Sequence, residues 1–273
     1  MRKDQVMVVL ECYFDGSNQA NSQEYDVLTL GCIAGTEEQW RKCLSKWGRV
    51  LKDNGADYLH TTDAVNLHNA FSRKRGWNKT KRDKLLFSCV EVALDNFAHL
   101  RGQSPSVAGL LPHTTTINLK DHDRARKDQP GIVPPDANEI CALQAMHSCF
   151  KWARHYEPKI DGYRLVFDQK EPFRGHIWDR YSNPKVRKRY PDYAKIIKIS
   201  EADMRFEAAL QVADLLAWCV SHQADEVKAV WHEEMLSRPW MQELGTYDKL
   251  VKPVPGALNL WRSFNLPKRR LHP

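Results

Sequence analysis

Three aspartates sit on apolar stretches, and they limit the folds open to this chain more than anything else in it. Asp15 closes Val6 to Phe14, a β-rich run, and Gly16-Ser17-Asn18 after it has turn composition. Asp168 closes Tyr163-Arg164-Leu165-Val166-Phe167, and Asp214 interrupts Gln211-Val212-Ala213-Asp214-Leu215-Leu216-Ala217-Trp218. A buried carboxylate without a cation or donors costs several kcal/mol, so such placements are rarely left unanswered. Taken singly, each has a plain explanation: a turn residue, a loop cap, an arginine pair. Taken together, on a first strand, a later buried strand and a late helix, they point to one site. Carboxylate oxygens are the natural ligands of magnesium and manganese.

The remaining elements follow from periodicity. Tyr25 to Ala34 is an apolar strand ended by Gly35, which makes a hairpin with the first. Thr36-Glu37-Glu38-Gln39 has capping-box form, with Trp40, Cys43, Leu44 and Trp47 following at helical spacing, and Asn54-Gly55 ends that helix. Asp57 to His60 is a short extended piece. Arg82–Phe97, Asn138–His155 and Phe206–Ser221 are helices; Tyr163–Phe167 and Ala194–Ile199 are buried strands. Residues 98–135 hold a strand within Val107–Leu119, but the Asp121-His122-Asp123-Arg124 run and Pro134-Pro135 mark the region as a loop-rich insertion. The pattern predicts an α/β domain over 1–222, with a mixed sheet flanked by helices, and a helical or irregular extension over 223–273 packed on it.

Spacing sorts the acids further. Glu11 and Asp15 face the same side of a strand but lie roughly 13 Å apart at about 3.3 Å per residue, so they do not share an ion. Gln211 and Asp214 share a helix face, which gives Gln211 a supporting role, either holding Asp214 or donating to a phosphate. His60 and Asp63 stand in His60-Thr61-Thr62-Asp63, where the aspartate either joins the acidic group or caps a helix, and the histidine would move protons or touch phosphate. Glu171 and the Asp121–Asp123 run fit solvated loops better.

Charge and composition bound the partners. Lysine and arginine total 41 against 34 acids, a net charge of +7. The excess gathers in Arg73-Lys74-Arg75 with Lys79, Lys81 and Arg82, in Lys185 with Arg187-Lys188-Arg189, and in Lys268-Arg269-Arg270. Such clusters attract a polyanion, although any one of them alone is ordinary solvated surface. Trp77, Tyr181, Tyr190 and Trp261 nearby have faces on which a base would stack. The seven cysteines form no CxxC pair and read as reduced, buried thiols. No apolar run approaches the roughly 20 residues that span a bilayer, and the stretch from Val6 to Leu10 is short for a signal peptide, so a cytoplasmic protein without a membrane partner is expected.

Phe14-Asp15-Gly16-Ser17 resembles the first-strand motif of ribonuclease H enzymes. With His60-Thr61-Thr62-Asp63, the strand-end Asp168 and the helix Leu210-Gln211-Val212-Ala213-Asp214-Leu215-Leu216, the chain resembles the bacterial domain-of-unknown-function 3800 family. The resemblance covers roughly residues 6–222 in widely spaced pieces. It implies a ribonuclease H-like mixed sheet, with Asp15, Asp63, Asp168 and Asp214 as metal ligands and His60 beside them in catalysis. Ser17 and Gln211 would support the ligands. Two magnesium or manganese ions about 4 Å apart would then serve hydrolysis of a phosphodiester. Arg73, Lys74, Arg75, Lys185, Arg187, Lys188 and Arg189 would hold the nucleic-acid backbone. The implied setting is phage defence or mobile elements, with RNA, DNA and hybrid all open and a protein partner unspecified. The competing expectation is a non-catalytic module on the same fold that binds nucleic acid or a partner.

Overall fold

Strand β1 (Val8–Ser17) lies inside the sheet, and the rest of the chain is arranged around it. A computed structural model describes residues 7–17, 27–98, 109–130, 133–156, 160–169, 171–223, 229–237 and 241–245. The other strands are β2 (Val27–Gly35), β3 (Leu111–Asn118), β4 (Ile160–Asp168), β5 (Ile196–Ala202) and β6 (Met241–Gly245). They form one sheet in the order β5-β4-β1-β2-β3-β6. Strand β2 runs antiparallel to β1 and β3, while β4 is parallel to β1, β5 to β4 and β6 to β3. Every strand but β2 therefore ends at the same edge, where Asp15 and Asp168 stand on neighbouring strands.

Helices cover both faces. They are α1 (Glu37–Asp53), α2 (Thr61–Asn66), α3 (Lys79–Asn96), α4 (Leu119–Asp128), α5 (Ala137–Tyr156), α6 (Phe173–Tyr181), α7 (Pro184–Arg189), α8 (Pro191–Ala194), α9 (Ala208–Ser221) and α10 (Val230–Ser237). One core joins Tyr13 and Ile33 of the sheet to α1, α3, α9 and α10. The other joins Leu10, Cys12, Phe14, Leu165 and Phe167 to α5, α6, α7 and α8. The alternation of side chains along β1 sorts its residues between these layers, so Tyr13, Asp15 and Ser17 face α9. On β4, Val166 packs in the same layer and carries Asp168 with it.

Local chemistry explains the elements that position the site. Thr36 closes the expected capping box, accepting from the Gln39 amide at 3.3 Å while the Gln39 side chain accepts from the Thr36 amide at 2.8 Å. Helix α1 then buries Trp40, Cys43, Trp47 and Leu51. From Ala209 to Ser221 every residue of α9 is buried, as expected of a helix that is apolar all round. It crosses the sheet at Gly31: a Cβ there would lie 2.8 Å from the Ala213 carbonyl oxygen and 3.1 Å from the Ala217 Cβ. Gly31 is also the cross-strand partner of Asp15, so this close approach brings α9 and its Asp214 down beside β1. All seven cysteines are buried and free of disulfides, as composition suggested.

Three expectations change. Residues 111–128 are not loop-rich: the strand expected within Val107–Leu119 is β3, which pairs along β2, and Asp121-His122-Asp123-Arg124 lies within α4, capped by the Asn118 side chain. Thr114, Thr115 and Thr116 of this strand are buried although polar, and Thr116 shares a hydrogen bond of 3.0 Å with Thr29 across the ladder. After residue 222, α10 joins the core through Trp231 and Met235, while β6, a strand where helical or irregular chain was expected, adds to the sheet beside β3. Trp77 belongs to the core, 5% exposed, and offers no face to a base; Trp261 and Lys268-Arg269-Arg270 lie outside the described residues. No described helix is long and apolar enough to cross a membrane.

Gly31→Ala should lower the unfolding free energy by about 1–3 kcal/mol in denaturant titration, because backbone and Cβ atoms must give way. Gly48→Ala in α1, where a Cβ meets nothing within 4 Å, should instead add roughly 0.5–1 kcal/mol from helix propensity.

Candidate functional site

Gln211, 2% exposed, joins the segments that carry the acids. Its amide oxygen accepts from the Trp47 indole at 2.9 Å and from the Leu59 amide at 3.1 Å, and its nitrogen donates to the Met204 carbonyl at 2.7 Å. Leu59 leads into His60 and Thr61, and the Thr61 amide donates to Asp214 Oδ2 at 2.6 Å. On the other side, the Met204 amide donates to Asp168 Oδ1 at 3.1 Å. One side chain thus fixes the two backbone segments that hold Asp214 and Asp168. This is the supporting role expected of Gln211; with its groups engaged and buried, donation to a phosphate is not open to it.

Asp15 and Asp214 are 3% and 5% exposed. Asp15 Oδ1 accepts from the Gly16 amide at 2.9 Å, while its buried Oδ2 has no hydrogen-bond partner. Burial first, then the charges of Asp214, Glu171 and Asp168, hold the Asp15 carboxyl well above the usual aspartate value of 3.8. Burial also raises Asp214, opposed by His60 and the Thr61 amide. Asp168 is raised chiefly by burial, against donation from the Met204 and Gln169 amides. These are acids close enough to disfavour one another's ionisation.

Asp168, His60 and Asp63 line an open cleft with Tyr58, Gln169 and Arg205. Asp63, in the first turn of α2, places Oδ2 3.2 Å from His60 Nδ1 and accepts from Asn69 at Oδ1. Its charge reaches Asp214. Ser17 shares a hydrogen bond of 2.9 Å with Ser221 and so ties the end of β1 to the end of α9. Glu11 pairs with Arg164 at 3.2 Å, away from the acidic group, as its spacing required.

Glu171, weighed from the sequence and read as solvated loop, is corrected by the structure. It is no solvated loop residue: it is 8% exposed, and its carboxylate would stand 2.9 Å from a Cβ placed on Gly16. The available signal was the pairing of a bare glycine after Asp15 with an acid three residues after Asp168. The basic clusters divide. Arg73-Lys74-Arg75 forms an exposed 3-10 turn shortly after α2, where Arg73 and Lys74 line a depression with Asn66, His68 and Asn69 rather than the acidic cleft. Lys185, Arg187, Lys188 and Arg189 belong to α7, whose Val186 packs in the opposite layer, and the Arg187 guanidinium lies over the Tyr181 ring. Arg82 is tied to Asp83 and the Val65 carbonyl, and Lys81 lies over Trp77.

The charge of this group fits a cation: an unpartnered buried carboxylate oxygen surrounded by acids lacks only a positive partner. The spacing is looser than a finished site, since no three His, Cys, Asp or Glu side chains among the described residues are grouped to hold one ion. Each of Asp168, Asp214 and Asp63 is engaged by its own donor, which keeps the carboxylates apart.

The folded chain holds protons on Asp15, Asp168 and Asp214 at pH values where the unfolded chain has released them. The stabilisation from these groups is therefore complete below about 3.8 and is lost as pH rises through their raised folded values. In EDTA, unfolding free energy should fall over that window, and Asp15→Asn should flatten the decline and raise stability at neutral pH. Denaturant titrations across pH check both. No protein-family model and no curated protein matches this chain, so what the cleft does is read from its own residues.

Proposed function

We propose that this chain is a divalent-metal-dependent nuclease on a ribonuclease H-like sheet, akin to the domain-of-unknown-function 3800 family. The observation that carries the proposal is the Asp15 carboxylate: buried, half unpartnered, at the carboxyl edge of neighbouring parallel strands and facing Asp214 and Asp168. Ligand sites of open α/β sheets lie outside that edge. The four sequence pieces behind the resemblance, far apart in the chain, all contribute to this one region, which supports the family reading. So does the α/β layering with its mixed sheet.

Asp15, Asp168 and Asp214 would hold magnesium or manganese, with Asp63 at the cleft wall and Glu171 behind Gly16. Bound there, such an ion lowers the pKa of its water and neutralises charge on a phosphoryl oxygen. The chain's own contributions follow from its geometry. Gln211 keeps the donors to Asp168 and Asp214 in place, His60 beside Asp63 stands ready to exchange a proton with solvent or a leaving oxygen, and the exposed Arg73-Lys74-Arg75 turn after α2 would attract a phosphate backbone.

The loose spacing of the acids favours one other reading, a module that binds nucleic acid or a partner without turnover. Labelled RNA, DNA and hybrid, incubated with manganese or with EDTA, separate the two. The nuclease reading expects cleavage in manganese alone and its abolition in Asp15→Asn and Asp214→Asn, with fold retained by circular dichroism. It also expects manganese to raise the melting temperature, equivalent to about 2.7 kcal/mol at a hundredfold excess over Kd, and not to do so in the Asp15 variant. Binding without turnover or metal stabilisation would establish the passive module.

A further inference from the structure

Between β5 and α9 the chain makes a turn at Asp203–Glu207, and its tip carries Phe206. At 88%, Phe206 is the most exposed large apolar side chain among the described residues. Scattered exposed apolar residues need no explanation in general; this one stands out because of what fixes it. The Phe206 and Glu207 amides both donate to the Asp203 carbonyl, at 2.9 and 3.0 Å. Asp203 also accepts from the Arg205 amide and holds the Arg205 guanidinium through Nε at 2.9 Å. Met204 is anchored twice, by its amide to Asp168 and by its carbonyl to Gln211. The ring is thus presented on a braced turn, two residues and at most roughly 7 Å of chain from an amide bonded to the Asp168 carboxylate.

The surroundings decide what such a ring can take. Arg205 is the one lysine or arginine among the described residues lining the cleft, and Asp203 already neutralises it. Its guanidinium lies over the Phe206 ring, 5.7 Å from the ring centre, and the ring nevertheless remains open to solvent. This lip therefore offers an aromatic face and little net charge, which suits a base better than a phosphate. A duplex buries both faces of its bases in the stack, whereas a single strand leaves them open.

Resting on the nuclease reading, we infer that Phe206 is a stacking platform for an unpaired base next to the bond held at the carboxylates, and that the substrate is single-stranded nucleic acid. The test uses the full chain and fluorescently labelled oligonucleotides in single-stranded and duplex form. Anisotropy is followed in EDTA across a range of salt, and cleavage in manganese is followed in parallel. Phe206→Ala should bind single strands roughly 5- to 100-fold more weakly and duplex unchanged. Its slope of log affinity against log salt should match the wild type, since no phosphate contact is lost. Phe206→Trp should bind at least as tightly as wild type, and both variants should melt with it, because the ring is exposed.

Unchanged single-strand affinity in Phe206→Ala, or equal weakening of duplex, overturns the platform. So does wild-type self-association by light scattering that the alanine variant abolishes, which would make the ring a protein contact. If the wild type cleaves and Phe206→Ala behaves identically, the platform alone fails. If the wild type neither binds nor cleaves any nucleic acid, the nuclease reading fails with it.

Discussion

The side-chain amide of Gln211 is the interaction on which the site depends. It meets a tryptophan from α1, the backbone entering α2 and the backbone leaving β5, all of them buried. A buried amide with each partner in place adds modestly to stability, about 1 kcal/mol per hydrogen bond, but leaving its partners unsatisfied costs about 1–3 kcal/mol for each. That asymmetry makes the junction specific. Alternative packings of α9 on the sheet would strand at least one of these groups, so the helix settles where Asp214 and Asp168 receive their backbone donors.

Against this well-satisfied junction the acids are unsatisfied in charge. Glu11 and Asp15 show the contrast, being four residues apart on the same face of β1. Glu11 is half-buried and pairs with Arg164; Asp15 is fully buried, and the nearest charges raising it are other carboxylates. A fold seeking only stability would settle Asp15 as it settled Glu11. Burial against repulsion is a common mark of functional groups, since the destabilisation is recovered when a ligand of opposite charge enters.

Much of this was legible in the chain. The first strand, the hairpin, the capping box at Thr36, the helices over α3, α5 and α9 and the strand ending on Asp168 follow from period and punctuation, although β1 does not end at Asp15 but runs on through Gly16 and Ser17, read as a turn, which pair with Leu30 and Thr29. The acids at apolar positions were visible in the same pattern. What stayed hidden has physical causes too. Strand β3 could be placed only loosely because it reads as polar, with Thr114, Thr115 and Thr116 buried in the sheet, and α4 has only His122 and Ala125 turned inward, too few for a periodic signal. Glu171 lies in a turn, where nothing local distinguishes a buried acid from a solvated one. Trp77 looked available among basic residues, yet aromatic rings beside lysines are as readily core residues capped by alkyl stems.

The junction at Gln211 has a consequence for how the acidic group is assembled. Its partners at 47, 59 and 204 come from both ends of the described chain, and Asp15 meets Asp214 only across almost the whole of it. Contacts of such sequence separation form late, after the loop-closure entropy of most of the chain has been overcome. A growing or half-folded chain therefore carries its acids as separate, solvated residues, with ordinary titration and nothing to gather a cation. The site comes into being only with the last long-range packing step, so partly folded copies are chemically silent.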